Sequence, residues 1–160
     1  MQASKALEVI KHYEGLELAP YICPGNVVTI GYGTTVYPNG EAVKMTDEPI
    51  TPKYAEECLA FYVKSFEKQV LAFLHAKNIS LINDELSALV SFSYNLGLGP
   101  LKEQNRSLHQ AMLTKDREQI AKAMLLYCKA GGKRLEGLVR RRETEAHLFL
   151  TGSVIFDNFI

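Results

Sequence analysis

Apolar residues recur at intervals of three and four along most of this chain, except in one stretch near its start. Leu7, Ile10 and Tyr13 share a face of a helix expected over residues 4–13, which Ser4 can cap and Gly15 stops at Glu14. Residues 16–50 lose that period. They hold Pro20, Pro24, Gly25, Gly31, Gly33, Pro38, Gly40 and Pro49, with β-prone runs Val27–Ile30 and Thr35–Tyr37 between the breakers. Pro38-Asn39-Gly40 is a strong turn signal. A small hairpin-built lobe follows from this pattern, too small to hold itself together alone.

From Thr51 the helical period returns and persists. Thr51-Pro52 reads as an N-cap followed by proline at N1. Cys58, Leu59, Tyr62, Val63, Phe66, Val70, Phe73 and Leu74 then mark a helix to about residue 76, long enough to join two lobes. Asn83 is expected to cap a helix carrying Leu86, Leu89, Val90 and Ser93, ended by Gly97 and Gly99. Shorter helices are expected over about 105–114 and 116–129, with a break at Gly131-Gly132. A last helix runs from about Leu135 to Leu150 and closes at Thr151-Gly152. The fold class is therefore α+β and two-lobed. A small lobe spans about 14–55, and a helical lobe spans about 56–160 plus the N-terminal helix, as one domain over 1–160.

Composition narrows the function. The chain has 160 residues, 47% apolar and 22% charged, which is ordinary for a soluble globular protein. No segment approaches the roughly 18–20 uninterrupted apolar residues of a membrane span, so no stable membrane association is expected. Lys5, Glu8 and Lys11 interrupt the start of the chain, where a secretory signal would carry an apolar core. The formal net charge is zero, which argues against nucleic acid as a partner. The basic excess sits at Lys133, Arg134, Arg140, Arg141 and Arg142, and the plain reading of such a run is a solvated helix face. Cys23, Cys58 and Cys128 are odd in number and widely spaced, as free thiols in a reducing compartment would be. His12, His75, His109 and His147 are scattered, so neither a metal site nor a cofactor is expected.

Glu14 is the first candidate for chemistry. It ends a helix at the mouth of the Gly/Pro-rich lobe, and a helix C-terminus disfavours a carboxylate. Such an acid needs solvent or a cationic partner. Cys23 and Thr29 lie six residues apart across a turn, and could hold one water between them if they converge near Glu14. By position alone, Glu14 reads as a solvated helix end, Cys23 as a packed thiol and Thr29 as a strand residue.

The spacing Glu14–x8–Cys23–x5–Thr29 within EGLELAPYICPGNVVTIGYG changes this, because it resembles the Glu–Asp/Cys–Thr signature of the phage-type lysozymes, glycoside hydrolase family 24. ELSALVSFSYNLGLG at 85–99 is similar to that family's central buried helix. The helix entered at Thr51-Pro52 is similar to its connecting helix. GGKRLEGLVRRRETEAHLFLTG at 131–152 is similar to its closing GL–x2–RR–x2–E block. The sequence departs from the commonest pattern at Cys23, where many members have Asp, and at Thr34, where many have His.

The resemblance implies an endolysin or muramidase that hydrolyses the β-1,4 bond between N-acetylmuramic acid and N-acetylglucosamine in peptidoglycan and lyses the host cell. Glu14 would protonate the leaving oxygen, and Cys23 with Thr29 would position the attacking water, giving inversion. Asn95 and Arg141 take the family's cleft positions, where an amide can bind an N-acetyl group and an arginine can fix the acid. The resemblance further implies a monomer made in the host bacterial cytoplasm, which reaches the wall through a holin-type membrane partner. A lytic transglycosylase on the same bond, and a non-catalytic peptidoglycan-binding derivative, remain as alternatives.

Overall fold

In the computed structural model, which describes residues 3–156, the first helix (α1) runs Ser4–Glu14. Ala3, not Ser4, occupies its N-cap position, and no side chain caps this end. The Ala3 N–H instead donates to the Glu67 carboxylate at 2.9 Å. Gly15 turns the chain out of the helix in the left-handed half of conformational space, φ 69°, and its N–H closes on the Lys11 carbonyl.

Two antiparallel strands follow, β1 (Glu17–Ile22) and β2 (Val28–Gly31), with Tyr21 opposite Thr29 and Ile22 opposite Val28. The turn between them is closed by Cys23 N–H to Val27 O at 3.0 Å and Asn26 N–H to Cys23 O at 2.8 Å. The run Thr35–Tyr37 forms no strand; only isolated bridges link Ile30 to Thr34 and Val36 to Ala42. The Pro38-Asn39-Gly40 turn is present, with Gly40 N–H on the Tyr37 carbonyl at 2.9 Å.

The long helix α2 spans Pro52–Ala76, and the Thr51 hydroxyl caps it by accepting from Tyr54 N–H at 3.1 Å. It packs on β2, where a Cβ on Gly31 would come within 3.3 Å of the Ala55 methyl. The next helix, α3, spans Asn83–Leu96. Ile82 holds its N-cap position, one residue before the expected Asn83. The Glu85 carboxylate accepts the Ile82 N–H at 2.8 Å and does the capping from the first turn. Gly97 ends α3, while Gly99 opens the short helix α4, Gly99–Lys102.

Helix α5 covers Ser107–Thr114, and α6 covers Arg117–Leu125, capped by Asp116. The helix expected to reach 129 stops at 125. Lys129–Ala130 (β3) and Lys133–Arg134 (β4) pair across Gly131 and Gly132, whose φ values of 55° and 76° suit a two-residue hairpin. The last helix, α7, runs Glu136–Thr151 and ends at Gly152.

Helix α3 is the centre of the body. All residues from Glu85 to Ser93 are buried, and α1, α2 and α7 pack around it. Ser87, Ala88, Ser91 and Ser93 are small, which lets these helices approach closely. Ile10, Leu59, Leu86, Leu89, Phe92 and Phe149 fill the core between them. The hairpin lobe, the connecting helix and the helical body together make the two-lobed α+β fold that the pattern implies.

Candidate active site

Helix α1 delivers Glu14 to the seam between hairpin lobe and helical body. Its carboxylate accepts from Arg141 Nη1 at 2.6 Å, an ion pair in which the Glu14 side chain keeps 23% of its surface and Arg141 only 4%. The arginine answers the unfavourable helix end: a cation now faces the negative pole of α1. Gly33 passes close on the other side, at φ 85°, where a Cβ would sit 3.1 Å from Glu14 Oε2. Only glycine suits both the conformation and the space.

Arg141 is itself held from behind. Its Nε donates to Glu145 Oε1 at 3.2 Å, and its Nη2 reaches the Ser91 carbonyl at 3.4 Å. Burial opposes its charge, but Glu145 and Glu14 outweigh that and raise its pKa. Arg142 and Glu145 have no exposed surface at all. Arg142 Nε lies 2.8 Å from Glu145 Oε2, its Nη2 donates to Glu145 Oε1 at 3.1 Å, and its guanidinium stacks on the Phe92 ring at 4.7 Å. Ser91 Oγ donates to the same Glu145 Oε1 at 2.7 Å. Arg142 Nη2 also donates to Asn95 Oδ1 at 3.0 Å. Two of the four arginines in the run, Arg141 and Arg142, are thus buried, against the plain reading of a solvated face; Arg134 and Arg140 are exposed.

Cys23 and Thr29 come together across the β1–β2 turn. Backbone N–H donation at Val27 and the Thr29 hydroxyl both lower the Cys23 pKa. Thr29 is buried and its hydroxyl donates to the Val27 carbonyl at 3.0 Å, so that carbonyl and the Cys23 sulfur compete for its single proton. Tyr21 lies within the field of both candidate groups: burial raises its pKa first, then the charges of Glu14 and Cys23.

A cleft of about 440 Å³ opens beside Gly33, walled by Thr34, Thr35 and Val36 on one side and by Tyr62, Phe66 and Tyr94 on the other. Tyr62 and Phe66 of α2 therefore face this opening, and Phe66 also packs against the core edge. Tyr94 O–H donates to the Tyr32 carbonyl at 2.7 Å, which ties α3 to the loop that carries Gly33. Burial pushes the Tyr94 hydroxyl pKa well up, and the Glu14 charge adds to it. The buried Thr34 hydroxyl has no hydrogen-bond partner among the described residues.

Sequence reasoning gave no site role to Gly33, Tyr21, Tyr94, Ser91 or Glu145, and named Arg142 only within the basic run. Arg142 and Glu145 belong to the RR–x2–E spacing, and their i, i+3 separation was the available signal.

An acid at the end of the first helix, held by an arginine of the last beside an interlobe cleft, defines a lysozyme-like protein. The phage lysozyme family model matches residues 11–145, and the chain belongs to that family. It is 35% identical to the endolysin of Bacillus phage B103 over 158 residues, which is 95% of this chain and 55% of that protein. The chain thus spans little more than half the length of that relative. Among solved structures, the endolysin from Escherichia coli O157:H7 phage FAHEc1 is similar with a TM-score of 0.81 and 32% identity over 97% of both chains. The muramidase domain of SpmX from Asticaccaulis excentricus is similar with a TM-score of 0.73 and 26% identity, over 91% of this chain and 95% of that one.

Proposed function

We propose that this chain is a lysozyme, an N-acetylmuramidase that hydrolyses the β-1,4 bond between N-acetylmuramic acid and N-acetylglucosamine in bacterial peptidoglycan. The ion pair of Glu14 with Arg141 behind the Gly33 edge of the cleft carries the reading, because it fixes one carboxyl oxygen and leaves the other beside Gly33. Membership of the phage lysozyme family and the names of its relatives support the substrate. The residues over about 14–55 and the helical remainder act as one catalytic unit, with the cleft between them.

In the proposed reaction the protonated Glu14 carboxyl gives its proton to the glycosidic oxygen as the bond to the anomeric carbon breaks. Water attacks that carbon from the opposite face, between Cys23 and Thr29. Its proton passes to the Cys23 thiolate, whose population the lowered pKa raises. The product has inverted configuration. Asn95 accepts from Arg142 through Oδ1, which leaves Nδ2 to donate to an N-acetyl carbonyl. Arg141 orients the acid from behind.

The same reading has the protein act as a monomer on the cell wall, after a holin-type partner opens the membrane. Among the described residues no helix is long and apolar enough to cross a membrane. Turbidity of outer-membrane-permeabilised cells tests the activity. Wild-type protein should clear the suspension, and Glu14→Gln should clear it at least about 100-fold more slowly. No clearing by wild type, or equal clearing by Glu14→Gln, sinks the enzyme reading.

A further inference from the structure

One buried carboxylate sits behind both arms of the proposed site. Glu145 Oε1 receives Ser91 Oγ, Arg141 Nε and Arg142 Nη2, and Glu145 Oε2 lies against Arg142 Nε. From this hub Arg141 reaches forward to Glu14, and Arg142 reaches forward to Asn95. We propose that Glu145 is a positioning residue that keeps Glu14 protonatable by cancelling one of the two cations behind it, while fixing Asn95 through Arg142.

Behind Glu14 stand two buried guanidinium groups, both permanently charged, and a single buried carboxylate. A cation held against a general acid opposes the proton that the acid must carry. A second uncompensated cation one residue along the same helix would hold the proton off still more firmly. Glu145 neutralises that second charge where screening by water is weakest. The other groups facing Glu14 cannot replace it. Tyr94 from α3 and Tyr21 from β1 are neutral phenols whose pKa values are raised, the Gly33 loop brings only backbone, Lys11 on α1 is paired with Glu56, and Cys23 on the hairpin lies outside the arginine–Glu145 cluster and is the same in every variant below.

This inference rests on the muramidase reading for its meaning, but its test does not depend on activity. In protein labelled with carboxyl-13C glutamate, the Glu14 resonance is assigned by its loss in Glu14→Gln and followed through a pH titration. Glu145→Gln should lower the Glu14 midpoint by about one pH unit, and Arg142→Met should raise it by a similar amount. Methionine fills the arginine's volume without its charge, so the Arg141–Glu145 pair stays neutral and buried. Glu143→Gln, which removes one negative charge from the same helix outside the cluster, is the control and should leave the midpoint in place.

If Glu145→Gln does not fold by circular dichroism, the upward shift in Arg142→Met decides alone. An unmoved Glu14 midpoint in Arg142→Met overturns the proposal, as does an equal shift in Glu143→Gln. In an active enzyme the alkaline limb of kcat/KM should move with the midpoint in each variant. Arg142→Met should also raise KM at least about threefold, because Asn95 loses its holder. A wild type that titrates as expected but cleaves nothing would instead count against the muramidase reading alone.

Discussion

Cys23 carries more chemistry than an ordinary free thiol because of what surrounds its sulfur. Donation from the Val27 backbone and from Thr29 favours the thiolate, so the charged form should appear at lower pH than in an unstructured cysteine. Iodoacetamide alkylation against pH should therefore show a midpoint below that of a free thiol. Thr29→Val removes one donor and should move that midpoint up; an unmoved midpoint would mean that the hydroxyl stays on the Val27 carbonyl. The approach of Cys23 to Thr29 was only half legible in the sequence. A side-chain count along a strand fails at the turn, and here Asn26 adopts φ 59° to close it. The residues behind Glu14 were less legible still. Arg142 and Glu145 have the i, i+3 spacing of a solvated pair, and only the all-round burial of α3 turns that pair inward.

The elements themselves were mostly readable, since caps and breakers are local. Thr51-Pro52 opened α2 as the sequence indicates, and Thr51→Ala should cost about 1 kcal/mol in denaturant-measured stability. Three short elements escaped: α4, β3 and β4. The β3–β4 hairpin has too few residues for any period to show, and the Gly131-Gly132 pair reads equally as a break. The strand expected at 35–37 did not form because its partner segment offers only a single bridge at Ala42. In that segment Tyr37 donates to Asp47 at 3.0 Å, and burial first, then Asp47, pushes its pKa up to about 12. The neutral phenol is thus favoured by folding. Its contribution is complete below the ordinary tyrosine pKa of about 10 and lost as pH rises through about 12. Stability followed by circular dichroism should fall across that window, and less steeply in Tyr37→Phe.

At the scale of the whole molecule, two features of the account act together: a balanced charge and a cleft built at a lobe junction. Formal net charge is zero, so long-range attraction to an anionic wall is weak. Clearing rates should change by less than about threefold between roughly 0.05 and 0.3 M salt. A steep fall with salt would place electrostatic capture ahead of cleft binding. The cleft could not be drawn from periodicity, because Tyr62 and Phe66 keep the spacing of core residues while lining an opening. Family likeness supplied what pattern could not, and Glu14 is where the two accounts meet.

The central claim is that Glu14 donates the proton in a hydrolysis. Digestion of purified peptidoglycan in H2 18O, read by mass spectrometry, tests it most directly. Wild-type protein should release fragments ending in reducing N-acetylmuramic acid that carries one 18O, and Glu14→Gln should release almost none. Anhydro-muramic ends without label, or an undiminished yield from Glu14→Gln, would contradict the account.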